Sequence, residues 1–190
     1  MQTLKDIVLS SGKAVNSDVM KVDSFITHQV DPSLMEQIGK DFAEHFKTSN
    51  ITKIATIESS GIAPALMTAK AMNVPLIIFK KEPSRITNGS LLQTEVTSFT
   101  TAKTYELTAS PKFIKSDDNV LIIDDFLANG EAITGAVRIL RMAHATVGGV
   151  GILIEKTFQP GRRKLENAGF EVYSLVKVKS LKPGKIELED

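Results

Sequence analysis

Two adjacent carboxylates, Asp124 and Asp125, close the apolar run Val120 to Ile123 and are the residues of this sequence best placed to do chemistry. Neighbouring acids are costly to bury unless donors meet their oxygens. The vicinal 2′ and 3′ hydroxyls of a ribose would supply two such donors. Beyond Phe126 and Leu127 come Ala128, Asn129, Gly130, Glu131 and Ala132, which open a helix and leave its first-turn N–H groups without intrahelical partners. The helix dipole adds attraction for a phosphate dianion there. Ribose and phosphate subsites would lie side by side. On spacing alone the same residues also read as an ordinary turn, with Asp-Asp starting it and Asn129-Gly130 completing it.

These side chains need a scaffold, and the chain alternates helix and strand signals, which favours an α/β fold. Asp31 and Pro32 read as an N-cap and first turn, after which Leu34, Ile38, Phe42 and Phe46 recur every four residues along one face. Lys53 to Ile57 reads as a buried strand, followed by the loop Glu58-Ser59-Ser60-Gly61 and a helix over Ala63 to Met72. Val74 to Phe79, Val120 to Ile123 and Val147 to Ile154 are further strands, the middle one apolar enough for burial on both faces of a parallel sheet. Ligands of open α/β sheets bind at the carboxyl ends of such strands, where the two acids fall. Between the second and third strands, Lys80 to Asp118 carries turn signals at Pro83-Ser84 and Asn88-Gly89 ahead of the β-branched segment Thr94 to Thr100. That region reads as a hairpin excursion. The tail after Lys177 is expected to add one short strand.

Composition narrows the function. With 190 residues, 42% hydrophobic and 24% charged, the chain can close one sizeable core, and a single domain is the default. Its 23 basic and 22 acidic residues leave a net charge of +1, too little positive field to hold a nucleic-acid backbone. No apolar run approaches the roughly 20 residues that span a bilayer. Absence of cysteine and of a basic-then-apolar start points to the cytoplasm. His28, His45 and His144 are scattered rather than grouped at metal-ligand spacing, so no all-protein metal site is expected. Neither G-x-G-x-x-G nor G-x-x-x-x-G-K-[ST] occurs, which argues against a nucleotide-fold oxidoreductase or a P-loop kinase.

An apolar strand ending in two acids, then two apolar residues, a small residue and a glycine resembles the signature of type I phosphoribosyltransferases, which act on phosphoribosyl pyrophosphate (PRPP). Glu58-Ser59-Ser60-Gly61-Ile62 resembles their pyrophosphate loop. Lys21-Val22-Asp23-Ser24-Phe25, His28-Gln29-Val30-Asp31-Pro32 and Glu155-Lys156-Thr157-Phe158-Gln159-Pro160-Gly161 extend the likeness, over nearly the whole chain, to the bacterial xanthine phosphoribosyltransferases. The resemblance implies one domain over 1–190: a mostly parallel sheet flanked by helices, a hood from about 1–30 and 156–190, and a flexible lid over 81–103. It implies that Asp124 and Asp125 hold the ribose, that Ala128 to Ala132 hold the 5-phosphate, and that Ser59, Ser60, Gly61, Lys80 and Lys81 meet the pyrophosphate. A cis non-proline peptide is expected within Glu58-Ser59-Ser60.

The same likeness assigns the base to Met20, Thr27 and Lys156, and the residues themselves add Phe158. Lys156 has three donors and no acceptor, which suits a base with exocyclic oxygen, and Phe158 can stack on a purine face. Read alone, a snorkelling lysine and a core aromatic are the commoner explanations. Leucine and asparagine are usual in the family at positions 20 and 27, and threonine shortens the reach toward the base. The implied reaction joins xanthine to PRPP with Mg²⁺ carried by pyrophosphate and ribose hydroxyls, in an enzyme acting as a homodimer. Other purine transferases share the signature. A PRPP-sensing regulator would need a DNA-binding domain, for which about 30 residues ahead of the first clear helix are too few.

Overall fold

The computed structural model describes residues 1–81, 91–98 and 103–189. Helix α1 (Gln2–Ser11) leads into a small antiparallel pair, β1 (Lys13–Ala14) and β2 (Met20–Lys21), and then a π-helical turn over Asp23–Thr27. Helix α2 (Pro32–His45) starts where its sequence says it should. Asp31 Oδ1 accepts from the amides of Ser33 at 2.9 Å and Leu34 at 3.1 Å, a cap worth about 1 kcal/mol. Leu34, Ile38, Phe42 and Phe46 are all buried, as their four-residue spacing requires.

Strand β3 (Lys53–Ile57), helix α3 (Ile62–Met72) and strand β4 (Leu76–Phe79) follow, and then the antiparallel hairpin of β5 (Leu92–Ser98) and β6 (Lys103–Ala109). The anticipated excursion therefore exists. The lid expected over 81–103 falls largely outside the described residues. Strand β7 (Asn119–Leu127), helix α4 (Glu131–Met142), strand β8 (Thr146–Lys156), helix α5 (Gly161–Asn167), strand β9 (Val172–Lys182) and strand β10 (Lys185–Leu188) complete the chain.

Six of these strands form one sheet in the order β10-β9-β8-β7-β3-β4, parallel throughout except for β10. Helices cover both faces. Leu4, Val8, Ile38 and Phe42 from α1 and α2 pack on one side, and Ile133, Val137, Leu140 and Leu165 from α4 and α5 on the other. The chain leaves β3 through α3 toward β4 and leaves β7 through α4 in the opposite direction toward β8. The order therefore reverses between β3 and β7, where an open α/β sheet makes a ligand crevice.

Several boundaries differ from the sequence reading, three of them at or beside the site. Strand β7 continues through both acids to Leu127, because Asp124, Phe126 and Leu127 stay paired to Ile152, Ile154 and Glu155 of β8. Strand β8 likewise runs on to Lys156, which is its last residue rather than part of a loop beyond it. The short strand expected after Lys177 is β10, but an unforeseen eleven-residue β9 precedes it, beginning at Val172 and lying parallel to β8.

Candidate active site

The crevice at the switch point holds the acid pair. Asp124 is 7% exposed, and burial followed by the charge of Asp125 pushes its carboxyl well above the usual range. Asp125 is raised as well, again by burial first. The positive charge of Lys81 works against both shifts. Their hydrogen bonds from the main chain come from their own strand, Asp125 N–H to Asp124 Oδ1 and Phe126 N–H to Asp125 Oδ1, each at 3.0 Å. A pair of half-compensated carboxylates is poised to accept hydroxyl donors.

Against them stands the start of α4. Gly130 takes the left-handed conformation (φ 79°) that a non-glycine residue adopts only at a cost, and no side chain caps the amides that follow it. The Asn129 amide nitrogen is buried without a partner among the described residues. Unmet donors at a helix N-terminus make an anion site. These residues line a cavity of about 260 Å³ together with Glu58, Ser59, Ser60, Lys81, Tyr105 and the two acids.

The third wall is the loop after β3, where the Glu58–Ser59 peptide is cis. A Cβ on Gly61 would sit 2.4 Å from Thr56 Oγ1 and 3.1 Å from Asp124 Oδ1, so only glycine lets this loop approach the carboxylate. Lys80 and Lys81 part company. Lys80 Nζ pairs with Glu58 Oε2 at 3.2 Å and does not line the cavity, whereas Lys81 lines it, with its ammonium 5.5 Å from the centre of the Tyr105 ring. A larger groove of about 710 Å³ runs along edge strand β4, but of the expected site residues only Lys80 borders it.

Lys156 closes β8 on the neighbouring edge. It is 7% exposed, its Nζ donates to the Asp18 carbonyl at 2.5 Å, and it lies 5.5 Å from the centre of the Phe126 ring. Burial pulls its pKa down, while the charges of Asp18 and Asp125 hold it up. Gln159 Nε2 reaches Asp18 Oδ1 at 3.5 Å, so Lys156 and Gln159 converge on one residue near the N-terminus. Phe158 is 41% exposed beside them.

A family model described as the phosphoribosyl transferase domain matches residues 30–179, spanning the switch-point cavity and Lys156. The chain belongs to the phosphoribosyl transferase family. A relative from Agathobacter rectalis named xanthine phosphoribosyltransferase is 60% identical over 98% of this chain and 97% of its own. A Clostridium botulinum relative named xanthine phosphoribosyltransferase 1 is 56% identical over 98% of each chain. The fold matches the adenine phosphoribosyl transferase of Trypanosoma brucei, solved with AMP, pyrophosphate and ribose-5-phosphate, with a TM-score of 0.75 and 22% identity over 92% of this chain and 79% of that one.

In this phosphoribosyl transferase Ser59, Ser60, Lys81, Asp124, Asp125 and Ala128 to Ala132 share one cavity. Gly61 backs it, and Lys80 lies outside. Met20 is buried in β2, two residues after Asp18. Thr27 is exposed and its hydroxyl donates to Asp23 Oδ1 at 2.9 Å. Sequence reasoning passed over Phe126, which underlies Lys156, and Tyr105, whose phenol is pushed up by burial and by Asp124. Phe126 had a signal, since it directly follows the acids in an apolar strand. Tyr105 and Asp18 had none.

Proposed function

We propose that the protein transfers the 5-phosphoribosyl group of PRPP to xanthine, giving xanthosine 5′-monophosphate and pyrophosphate. The observation that carries this reading is the buried, half-compensated acid pair beside uncapped helix amides and an unpartnered Asn129 donor. Ribose hydroxyls answer the first and a 5-phosphate answers the second. The C1′–O bond to pyrophosphate breaks, a bond from C1′ to a base nitrogen forms, and that nitrogen loses its proton. Positive charge develops on the sugar, and Asp124 and Asp125 stabilise it. Ser59, Ser60 and Gly61 offer backbone to the leaving pyrophosphate, and Lys81 offers charge.

Among the described residues no group of three or more His, Cys, Asp or Glu side chains could hold a metal ion. Two adjacent carboxylates do fit a divalent cation brought in on substrate oxygens, so Asp124 and Asp125 would face the Mg²⁺ of Mg–PRPP. When bound, that ion makes pyrophosphate a better leaving group.

Lys156 selects the base. A buried ammonium facing an exocyclic oxygen is satisfied, whereas an amino group in its place opposes two donors at a cost of roughly 1 to 3 kcal/mol. Relatives at 47 to 60% identity carry the xanthine name, which supports the same assignment. Family resemblance also leads us to a homodimer, which light scattering tests, and the cysteine-free composition to the cytoplasm. The deciding assay compares xanthine, guanine, hypoxanthine and adenine at saturating Mg–PRPP. Xanthine should have the highest kcat/KM and adenine negligible turnover. Preference for adenine would overturn the reading.

A further inference from the structure

Two loops carry the proposed chemistry, Ala128 to Ala132 for the phosphate and Lys156 to Gly161 for the base, and they touch at one point. Gly161 N–H donates to the Ala128 carbonyl at 2.9 Å. A Cβ on Gly161 would lie 2.4 Å from that carbonyl oxygen, 2.8 Å from Leu127 Cδ1 and 3.1 Å from the Gly130 nitrogen. From the other side, a Cβ on Gly130 would lie 3.3 Å from Gly161 Cα. The backbone of Gly161 is not left-handed, so glycine is needed here for space rather than for conformation.

The contact is fixed from the α5 side. Arg162, the next residue, grips Glu155 with two hydrogen bonds of 2.7 and 2.6 Å and donates to the Val172 carbonyl at 3.0 Å. Glu155 is 1% exposed and also accepts from Ser174 Oγ at 2.5 Å. It directly precedes Lys156 in β8, so the clamp that seats Gly161 is one residue from the base lysine. Lys164 Nζ meets Glu131 Oε1 at 2.5 Å and ties α5 to the first turn of α4. Bidentate guanidinium–carboxylate geometry resists sliding better than a single point contact.

We propose that Gly161 is a positioning residue, which sets the spacing between the base loop and the phosphate loop and so couples the two subsites. The inference rests on the phosphoribosyl-transfer reading of those loops. By holding the Ala128 carbonyl, Gly161 keeps an acceptor oxygen from turning toward the phosphate while the neighbouring amides remain available to it. A side chain at 161 pushes the two loops apart, and the phosphate loop gives way because Arg162 anchors the other.

The test measures ribose 5-phosphate binding by calorimetry, well below the melting temperature of each protein. Gly161→Ala should weaken it by about tenfold, raise the KM for PRPP similarly, and raise the KM for xanthine by a smaller factor. Arg162→Lys, which keeps the charge and loses the fork, should weaken it by about threefold and decides the matter if Gly161→Ala does not fold. Folded variants that bind ribose 5-phosphate within about twofold of the wild type would reduce the contact to packing and overturn the inference. Failure of the wild type itself to bind ribose 5-phosphate would overturn the function on which the inference rests.

Discussion

Strand β7 carries aspartates at both ends, and they live under opposite electrostatics. Asp118, just ahead of the strand, receives Lys53 Nζ at 2.5 Å, the Lys115 amide at 2.7 Å and Thr52 Oγ1 at 3.1 Å. Burial alone would push its carboxyl up, but the hydrogen bonds from Lys53, Lys115 and Thr52 together hold it below the ordinary range. Asp124 and Asp125, at the other end, are pushed up by burial and, for Asp124, by the neighbouring acid. The lysines repeat the contrast. Lys53 and Lys156 are each 7% exposed, yet Lys53 has a carboxylate partner and Lys156 has a backbone carbonyl and a lowered pKa. At the amino edge of the sheet, charge is neutralised within the protein and serves stability. At the carboxyl edge Glu155 is likewise neutralised by Arg162, but the acid pair of β7 waits for a ligand.

The sign of each effect on stability follows from linkage. Asp118, with its folded pKa depressed, contributes stability above the unfolded pKa of about 4, and that stability is lost as pH falls through the folded value. Asp124 and Asp125, with folded pKa values raised, favour the fold below the unfolded pKa, and that contribution is lost as pH rises through the folded values. At neutral pH the acid pair therefore weakens the fold that carries it.

Breaking the carboxyl edge should give the largest effect. Asp125→Asn is expected to cut turnover by about tenfold to a thousandfold while the melting temperature stays level or rises. A fall in both would assign Asp125 to the scaffold. Lys156→Ala should raise the KM for xanthine by about tenfold or more with little change in the KM for PRPP, which the other loops hold. Equal losses for both substrates would put Lys156 outside the base pocket. At the amino edge, Lys53→Met strands the Asp118 carboxylate and should cost about 3 kcal/mol in denaturant unfolding, with turnover per folded molecule unchanged. Loss of activity without loss of stability would erase the distinction between the edges. Thr27→Asn is the mildest change. It extends a side chain now turned to Asp23 and should keep xanthine turnover within about threefold or improve it.

What the sequence revealed follows from how local each signal is. The four-residue spacing from Leu34 to Phe46 and the Asp31-Pro32 start fixed α2, and the buried strand read over Lys53 to Ile57 matched β3 residue for residue. The acids and the small-residue loop after them were legible because they are contiguous. The length of β7 was not, since two aspartates look like a strand end until their pairing with β8 is known. Lys80 and Lys81 could not be separated by charge alone. Successive residues at a strand end point to opposite sides, and of the two only Lys81 lines the cavity while Lys80 pairs with Glu58. Contacts between distant segments left no local trace at all, as with Lys156 and Asp18, 138 residues apart, or Gly161 and Ala128.

The two ends of β7 are electrically unlike, and that difference can be read directly. Carboxyl ¹³C NMR, with the three aspartates assigned by substitution, can follow each across a pH titration with and without ribose 5-phosphate. Asp118 should titrate below about 4 and ignore the ligand, while Asp124 and Asp125 should titrate above it and move down when ribose hydroxyls donate to them. Titration of Asp124 and Asp125 at or below the ordinary value, or a ligand-induced shift confined to Asp118, would contradict it.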